Sequence, residues 1–166
     1  MTEFPEAPGL SLRCVVAADQ PFLDALYHAT RSDLRQADAD PALIATLIRM
    51  QQMVHENGQR KAYPQARCEL IEHAGEALGR VVTDTDPLRG IRVVDIALLP
   101  RARGRGHGGA VLRRLQREAA ALRLPLRLSV AKENAGARRL YLGLGFELEA
   151  AGDAADEMVW RARGQA

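Results

Sequence analysis

Four glycines and three arginines are concentrated in residues 101–109, which read Arg-Ala-Arg-Gly-Arg-Gly-His-Gly-Gly. They follow an apolar, strand-like run at residues 93–99 and Pro100, and they precede a helical pattern. A glycine-rich turn leaves backbone amides bare at the positive end of a helix dipole, which favours an anion. The arginines add fork-shaped donors that suit phosphate. The segment therefore predicts a site for a phosphorylated cofactor.

Two other phosphate-binding motifs are alternatives for this loop. Residues 104–109 also match the dinucleotide fingerprint Gly-x-Gly-x-x-Gly, but Pro100 to Arg103 separate the strand from the first glycine. Too few residues follow for the further βαβ units of a Rossmann fold, and Glu133 is the only acid near the expected ribose-binding distance. A P-loop is excluded because no Gly-Lys-Ser/Thr follows the glycines. A nicotinamide-dependent oxidoreductase is therefore the weaker alternative.

A second motif lies at residues 134–146, which read Asn-Ala-Gly-Ala-Arg-Arg-Leu-Tyr-Leu-Gly-Leu-Gly-Phe. With Arg103-x-x-Gly106-x-Gly108 upstream, the chain resembles the GNAT superfamily of acetyl-CoA-dependent N-acetyltransferases. The cofactor motifs of that family read Arg/Gln-x-x-Gly-x-Gly/Ala and Asn-x-x-Ala-x-x-x-Tyr-x-x-x-Gly-Phe. The first pattern alone is unspecific, but both occur here in the usual order and at the usual distance. The resemblance covers about residues 93–146.

The resemblance implies that acetyl-CoA binds where the central strand and the next parallel strand splay apart, with CoA as the product. The pantetheine arm would pair with the backbone of Ile96, Ala97 and Leu98, and an amide there would hold the thioester carbonyl. Asn134 would bind the pantetheine arm as well as cap a helix. The implied cofactor contacts after the strand are Arg103, Gly104, Arg105, Gly106, His107, Gly108, Gly109, Asn134, Ala137 and Tyr141.

Tyr141 is the catalytic residue that the resemblance implies most directly. It lies two turns after Asn134 on nearly the same helix face, so that its phenol would reach the cofactor sulfur. A phenol there can protonate the leaving thiolate as a general acid. The alternative role is packing of a half-buried ring under Phe146.

The base that deprotonates the acceptor amine stays open between three possibilities. Asp95 is a carboxylate inside an apolar run, an unfavourable place for a charge unless it is paired or useful. It could instead be held by Arg80 or Arg92. Glu69, on a neighbouring strand, is the second candidate, and a water relay without a dedicated base is the third. Some family members place a glutamate earlier on the central strand, but that slot lies near Arg92 here.

Composition favours one domain spanning residues 1–166, because 47% of the residues are hydrophobic and one core can form. A net charge of +2 and 4% aromatic residues argue against nucleic acid and membrane surfaces as partners. No run approaches membrane-spanning length, and no signal peptide is apparent. Cys14 and Cys68 are interpreted as core residues in a reducing cytoplasm, and no histidine spacing suggests a metal site.

Periodicity predicts the order βααβββαβαββ, which the GNAT fold requires but which pattern alone does not distinguish from other α+β arrangements. The expected architecture is an α+β (α/β three-layer) domain with a mixed central sheet and a splay at the central strand. The second helix carries Leu43, Leu47, Met50 and Val54 on one stripe. The predicted elements are strand 10–16, helices from Asp19 towards Leu34 and from Asp40 to Gly58, strands 68–73, 77–83 and 93–99, helix 107–122, strand 125–130, helix 135–142, and a hairpin of 146–149 with 158–161.

The sequence thus predicts an enzyme that transfers an acetyl group from acetyl-CoA to a primary amine by direct attack in a ternary complex. No cysteine lies in either motif to form an acyl-enzyme. The alternative is a non-catalytic GNAT-fold module that binds acyl-CoA as a sensor or assembly partner. The acceptor, a small-molecule or protein amine, would lie under the N-terminal helical pair of a monomer or homodimer. Its candidate contacts are Tyr27, His28, Arg31, Met50, Met53 and Tyr63.

Overall fold

Eight strands and four helices make up the described part of the chain in this computed structural model, which covers residues 2–4, 7–31, 40–162 and 164. The strands are β1 (Thr2–Phe4), β2 (Ala7–Cys14), β3 (Arg67–His73), β4 (Glu76–Asp86), β5 (Gly90–Leu98), β6 (Leu126–Ala131), β7 (Glu147–Ala150) and β8 (Ala155–Trp160). The helices are α1 (Gln20–Thr30), α2 (Pro41–Ala62), α3 (His107–Leu122) and α4 (Ala135–Gly143).

All eight strands form one mixed sheet in the order β1-β2-β3-β4-β5-β6-β8-β7. Neighbouring strands are antiparallel except for the central pair β5 and β6, which is parallel and is connected by α3. From β2 onwards the elements follow the predicted order βααβββαβαββ, so this prediction is confirmed. The short strand β1, which pairs with β2, is an addition that the sequence patterns did not indicate.

The central parallel pair separates soon after it begins. Only residues 91–93 of β5 face residues 126–128 of β6. Beyond them β5 continues to Leu98 with β4 as its ladder partner, while β6 continues to Ala131 with β8. The second edge of β5 is therefore open over its last five residues, as the predicted splay requires.

A bulge marks the place where the two strands part. In the β4–β5 ladder Val82 faces Asp95, whereas the next residue, Thr83, faces Val93. Val94 is the extra residue on β5, and such an insertion bends a strand and increases its twist. The bulge thus supplies a local physical reason for β5 to turn away from β6.

The sheet lies between two helical layers. On one face, residues such as Val81, Val93 and Leu128 form a common core with Val111 and Leu115 of α3. The other face is covered over β4 and β5 by α1, with α2 packed beside it. Alternate residues of a strand point to opposite faces. A residue's position in the ladder therefore decides which helical layer it meets.

The helix starts agree with the sequence in part. Asp40 accepts a hydrogen bond from the Ala42 amide (2.9 Å) and caps α2, which continues past the predicted end at Gly58 to Ala62. Asp19 precedes α1 but does not cap it, because its carboxylate binds Arg13 instead (2.7 Å). The Arg13 guanidinium lowers the pKa of Asp19 to about 2. The helix ends at Thr30, with Arg31 as its C-cap, and the end predicted near Leu34 lies outside the described residues.

Two predictions about burial are wrong. The stripe on α2 does not face the core: Leu43, Leu47, Met50 and Val54 are 52%, 44%, 58% and 74% exposed. Its buried residues are Ile48 and Gln52, because Gln52 donates to Asp24 of α1 (2.8 Å) and turns that side of the helix inwards. Cys14 is exposed, and only Cys68 is partly buried.

Candidate active site

The glycine-rich loop has a backbone that requires glycine at two positions. Gly104 and Gly106 have φ angles of +71° and +83°, in the left-handed region that L side chains rarely adopt. Gly106 is also the N-cap residue of α3. Apart from the adjoining residues of the chain, no atom of the described residues lies within 4 Å of the place where a Cβ of either residue would stand. The positive φ angles therefore explain why glycine occupies these two positions, and the space beside them is open to a ligand.

The amides of this loop have the arrangement of an anion site. Ala110 donates to the Gly106 carbonyl (3.0 Å), which is the first turn of α3. Within the described chain, the amides of residues 104–109 donate to no protein acceptor. Bare amides at a helix N-terminus attract phosphate through hydrogen bonds and the helix dipole. Every predicted pyrophosphate contact from Arg103 to Gly109 lies in this one turn.

The three loop arginines differ in their surroundings. Arg103 donates from Nε to the Leu98 carbonyl (3.0 Å), which fastens the loop to the end of β5. Arg101 is paired with Glu76 (2.8 Å), and Arg105 is exposed. Arg103 is thus the arginine that stands between the loop and the open edge of β5.

His107 is the first residue of α3 and is half-buried beside a second histidine. Its ring centroid lies 5.3 Å from that of His73, at the end of β3. Burial, then His73 and Arg105, lower the pKa of His107. The imidazole therefore needs a lower pH than an ordinary histidine to become charged.

A cavity of about 540 Å³ lies where β5 leaves β6, and α1 and α2 form its roof. Its lining joins the open edge of β5 with residues from both motifs and from both N-terminal helices. These residues are Leu26, Tyr27, Thr30, Arg31, His55, Arg80, Asp95, Ile96, Ala97, Leu98, Arg103 and Asn134.

Asn134 links the second motif to this cavity. Its side-chain oxygen accepts a hydrogen bond from the Ala137 amide (3.1 Å) and caps α4. Ala137 itself packs partly buried against the core. The predicted cap is therefore present, and the same asparagine lies on the cavity wall.

Tyr141 is more deeply buried than its predicted role suggested. It is 7% exposed, and its ring lies 5.9 Å from the ring of Phe146 at an angle of 55°. It is not among the residues that line the cavity. Burial, and then the charge of Asp95, raise the pKa of Tyr141, so the phenol stays protonated at neutral pH. The packing role is thus observed, and the proton that a general acid needs is held in place.

The two candidate carboxylates lie on opposite faces of the sheet. Asp95 faces Val82 and lies on the cavity wall, where its Oδ2 is 3.0 Å from Nε of Arg80. Glu69 faces Val81, the neighbour of Val82, and therefore points to the α3 side. Only Asp95 reaches the cavity.

The predicted acceptor contacts are dispersed. Tyr27 and Arg31 line the cavity, whereas His28 and Met53 line a separate cavity of about 440 Å³ between α1 and α2. Met50 is exposed on the outer side of α2. Tyr63 lines a cavity of about 560 Å³ at the other end of β5.

Sequence reasoning missed His55, whose ring centroid lies 6.0 Å from that of Tyr27 in the cavity roof. Ile48, Gln52 and His55 are spaced by four and three residues and so share one face of α2. Once Ile48 and Gln52 are known to face inwards, this spacing identifies His55. The apolar stripe on the outer side of α2 is the stronger pattern, and it led to the wrong prediction of which side of the helix faces inwards.

A strand that leaves its parallel neighbour beside a bare helix N-terminus is suited to a long ligand that carries phosphate at one end. The family model of the acetyltransferase (GNAT) family matches residues 23–146 of this chain. The chain belongs to that family and is an acyltransferase with acetyl-CoA as its cofactor. The bare amides and the open space at Gly104 and Gly106 fit that cofactor's phosphates.

The fold is similar to that of several solved acetyltransferases. PaiA N-acetyltransferase from Thermoplasma acidophilum, in complex with coenzyme A, has a TM-score of 0.68 at 13% identity, over 92% of this chain and 99% of that one. The acetyltransferase from Salmonella typhimurium that modifies the N-terminal serine of ribosomal protein L7/L12 has a TM-score of 0.66 at 17% identity, over 96% of this chain and 98% of that one. A chimera of spermidine N-acetyltransferase SpeG from Vibrio cholerae and hSSAT has a TM-score of 0.64 at 21% identity, over 92% of this chain and 95% of that one.

No curated protein sequence matches the chain. Among the described residues, no helix is at once long and apolar enough to cross a membrane, and no group of three or more histidine, cysteine or acidic side chains is placed to hold a metal ion.

Proposed function

We propose that this protein transfers the acetyl group of acetyl-CoA to a primary amine, which attacks the thioester directly within a ternary complex. One observation carries the proposal: a single cavity joins the open edge of β5, Asn134 and Arg103, which directly precedes the bare-amide loop, with α1 and α2 on its other side. The first side matches the shape and charge of the donor. The second leaves a place for the acceptor.

Donor binding would use backbone more than side chains. The open edge at residues 96–98 offers peptide groups to the amides of the pantetheine arm, as a neighbouring strand would. The amides of residues 104–109 would hold the pyrophosphate. Arg103, which now donates to the Leu98 carbonyl, lies where its guanidinium can turn to a phosphate. Asn134 would contact the pantetheine arm between these two regions.

In the reaction, a C–N bond forms to the acetyl carbon as its C–S bond breaks. Tyr141 would give its phenolic proton to the leaving sulfur and regain one from solvent. The phenol of Tyr141 is in its acid form throughout the neutral range, as this role requires, and burial and then the charge of Asp95 raise its pKa. A backbone amide of residues 96–98 would stabilise the negative charge that develops on the carbonyl oxygen.

The proton of the acceptor amine would leave through water in the cavity without a dedicated base. Asp95 is already engaged by Arg80, which places two guanidinium nitrogens 3.0 Å from the same carboxylate oxygen. Glu69 projects from the far face of the sheet and is 3.1 Å from Arg67. Glu69 therefore faces away from an amine under the helices, and Asp95 meets the cavity as the ion-pair partner of Arg80.

The acceptor would be a small or amphipathic amine bound under Tyr27, Arg31 and His55. The described cavity wall carries one acid, Asp95, and that acid is paired with Arg80. The cavity therefore offers little negative charge to bind a polycation. The spermidine that one similar enzyme acetylates is a poor model for this acceptor. His28, Met50, Met53 and Tyr63 lie elsewhere and have no part in this proposal.

The sequence also left open a non-catalytic module that binds acyl-CoA as a sensor or assembly partner, although the family to which the chain belongs is one of acetyltransferases. One observation favours the module: Tyr141 is 7% exposed and does not line the cavity, so its phenol can serve packing alone. Turnover separates the two functions, since donor binding is expected in both.

The experiment has two stages. The first is a thermal unfolding series with acetyl-CoA, CoA, NAD and ATP; a ligand at a hundredfold excess over its Kd adds about 2.7 kcal/mol of stability. Stabilisation by acetyl-CoA and CoA, but little by NAD or ATP, is expected. The second is release of free CoA across a library of primary amines. An unchanged Tm with acetyl-CoA overturns the donor assignment, and donor binding without release by any amine favours the module.

A further inference from the structure

The outer side of α2 presents a continuous apolar surface. We call Leu43, Leu47, Met50 and Val54 the outer stripe; these four side chains are between 44% and 74% exposed. Met53, at 58% exposure, lies beside it. Isolated exposed apolar residues are common, but a contiguous row of large ones usually marks an interface. Within the described part of the chain no element packs on this row, because α2 contacts α1 through its opposite side.

The spacing of the outer stripe is that of a helix-pairing seam. The intervals are four, three and four residues, which is the a/d pattern of two helices packed side by side. The residues that flank the centre of this seam on either side are uncharged. They are Ile44, Thr46, Gln51 and Met53. Nothing there repels a second helix of the same sequence.

We propose that the outer stripe binds a second copy of this chain, with two α2 helices packed antiparallel about a twofold axis. The axis would pass between Leu47 and Met50. Leu47 then meets the partner's Met50, and Leu43 meets the partner's Val54. A twofold contact uses the same patch on both copies, and this seam is self-complementary about its centre.

The charges at the ends of α2 select this partner and this orientation. Asp40 stands at the start of the helix, and Arg60 and Lys61 occupy its last turn. Antiparallel packing brings the basic end of each copy beside the acidic start of the other and opposes the two helix dipoles. Parallel packing would place the two basic ends together. An unrelated partner would need to reproduce both the seam and this charge pattern.

Pairing at the outer stripe leaves the active-site cavity accessible. His55 and Ile48 lie on the inward side of α2, away from the stripe. The proposal is therefore independent of the proposed function. A helix of 22 residues extends for about 33 Å, which is long enough to carry the whole seam and both charged ends.

Sedimentation equilibrium of the full chain over a wide concentration range tests the proposal. The wild-type protein is expected to be a dimer, and Leu47→Glu, with two acids near the twofold axis, is expected to be a monomer. The matched control is Leu122→Glu, since Leu122 is 53% exposed at the end of α3, which packs on the opposite face of the sheet from α2. That variant should remain a dimer. Circular dichroism and thermal unfolding confirm that each variant is folded.

A charge variant tests the antiparallel orientation. Arg60→Glu with Lys61→Glu should weaken dimerisation by about tenfold at low salt, and less at high salt, because exposed ion pairs are weak and screened. Lys132→Glu is the control for adding negative charge elsewhere and should have no effect. A monomeric wild-type protein, or a Leu47→Glu variant that still forms dimers, overturns the proposal. A dimer that is unchanged by the double variant overturns the antiparallel orientation.

Discussion

Arg80 and Asp95 form an ion pair across the β4–β5 ladder, with Nε and Nη2 of the arginine each 3.0 Å from Oδ2 of the aspartate. The pair lies on the cavity wall, at the point where the bulge bends β5 away from β6. The arginine is buried, so the aspartate compensates a charge that has little access to water. Asp95 therefore has a structural role before any catalytic one.

Asp95→Asn is expected to lower kcat by less than tenfold, because the amide oxygen can still accept from Arg80 and no dedicated base is lost. A general base would account for a loss of ~10²–10⁴-fold. Steady-state rates across the pH range provide the measurement. Glu69→Gln, a carboxylate change on the opposite face, is the control. If Asp95→Asn alone loses a hundredfold or more and also loses a pH-dependent limb of kcat/KM, Asp95 is the base.

Gly106→Val is expected to abolish acetyl-CoA binding while the protein still folds. The φ of +83° is strained for a branched residue, and the side chain would enter the space where phosphate should lie. Isothermal titration calorimetry measures the binding, and circular dichroism measures the fold. Normal affinity in this variant would mean that the loop is only a turn.

Gly58→Ala is the matched glycine control. Gly58 lies inside α2, and apart from the local helix backbone and its chain neighbours no atom of the described residues lies within 4 Å of the place of its Cβ. Alanine is favoured over glycine in a helix interior by about 1 kcal/mol. The variant should therefore gain stability and keep its affinity for acetyl-CoA.

Tyr141→Phe is expected to lower kcat by ~10²–10⁴-fold and to leave acetyl-CoA binding nearly unchanged. Phenylalanine keeps the ring contact with Phe146, so the loss would report the hydroxyl alone. The control, Phe146→Leu, removes that contact but keeps the phenol; it should lose stability and retain most of kcat. If the Tyr141→Phe loss is tenfold or smaller, the tyrosine serves packing.

The motif residues could be located from sequence because each carries its own signal. A glycine run before a helix and an asparagine at a helix start both reflect backbone requirements that are local in the chain. The turn at residues 104–109 and the Asn134 cap are accordingly found as predicted. The alternation of strands and helices is also a local property, and it gave the correct element order.

The burial of α2 could not be read from periodicity, because an apolar stripe does not say what covers it. The helix turns its weaker face inwards, where Gln52 binds Asp24 and Glu56 and where Ile48 packs. The Gln52–Asp24 contact depends on α1, because its two residues are 28 positions apart in the chain. Likewise, the opposite facing of Glu69 and Asp95 depends on ladder register, which no single strand reveals.

Binding of acetyl-CoA is expected to take up a proton at His107. In the free protein, burial, His73 and Arg105 lower the pKa of His107, so this imidazole is neutral unless the pH falls below the usual histidine value. Phosphate bound to the adjoining amides would add negative charge and raise that pKa again. Between the two pKa values the complex holds a proton that the free protein lacks. By linkage, the affinity rises as the pH falls through this window.

Calorimetric titrations of acetyl-CoA in buffers of different ionisation enthalpy measure this proton uptake. The ligand's own phosphate titrates near pH 6, so the informative quantity is the difference between wild type and His107→Leu. The variant should lose part of the uptake while its affinity above neutral pH stays close to that of the wild type, because the amides remain. His28→Gln, which changes a histidine between α1 and α2, should behave as the wild type. Equal proton uptake by the wild type and His107→Leu would show that the imidazole does not sense the bound phosphate.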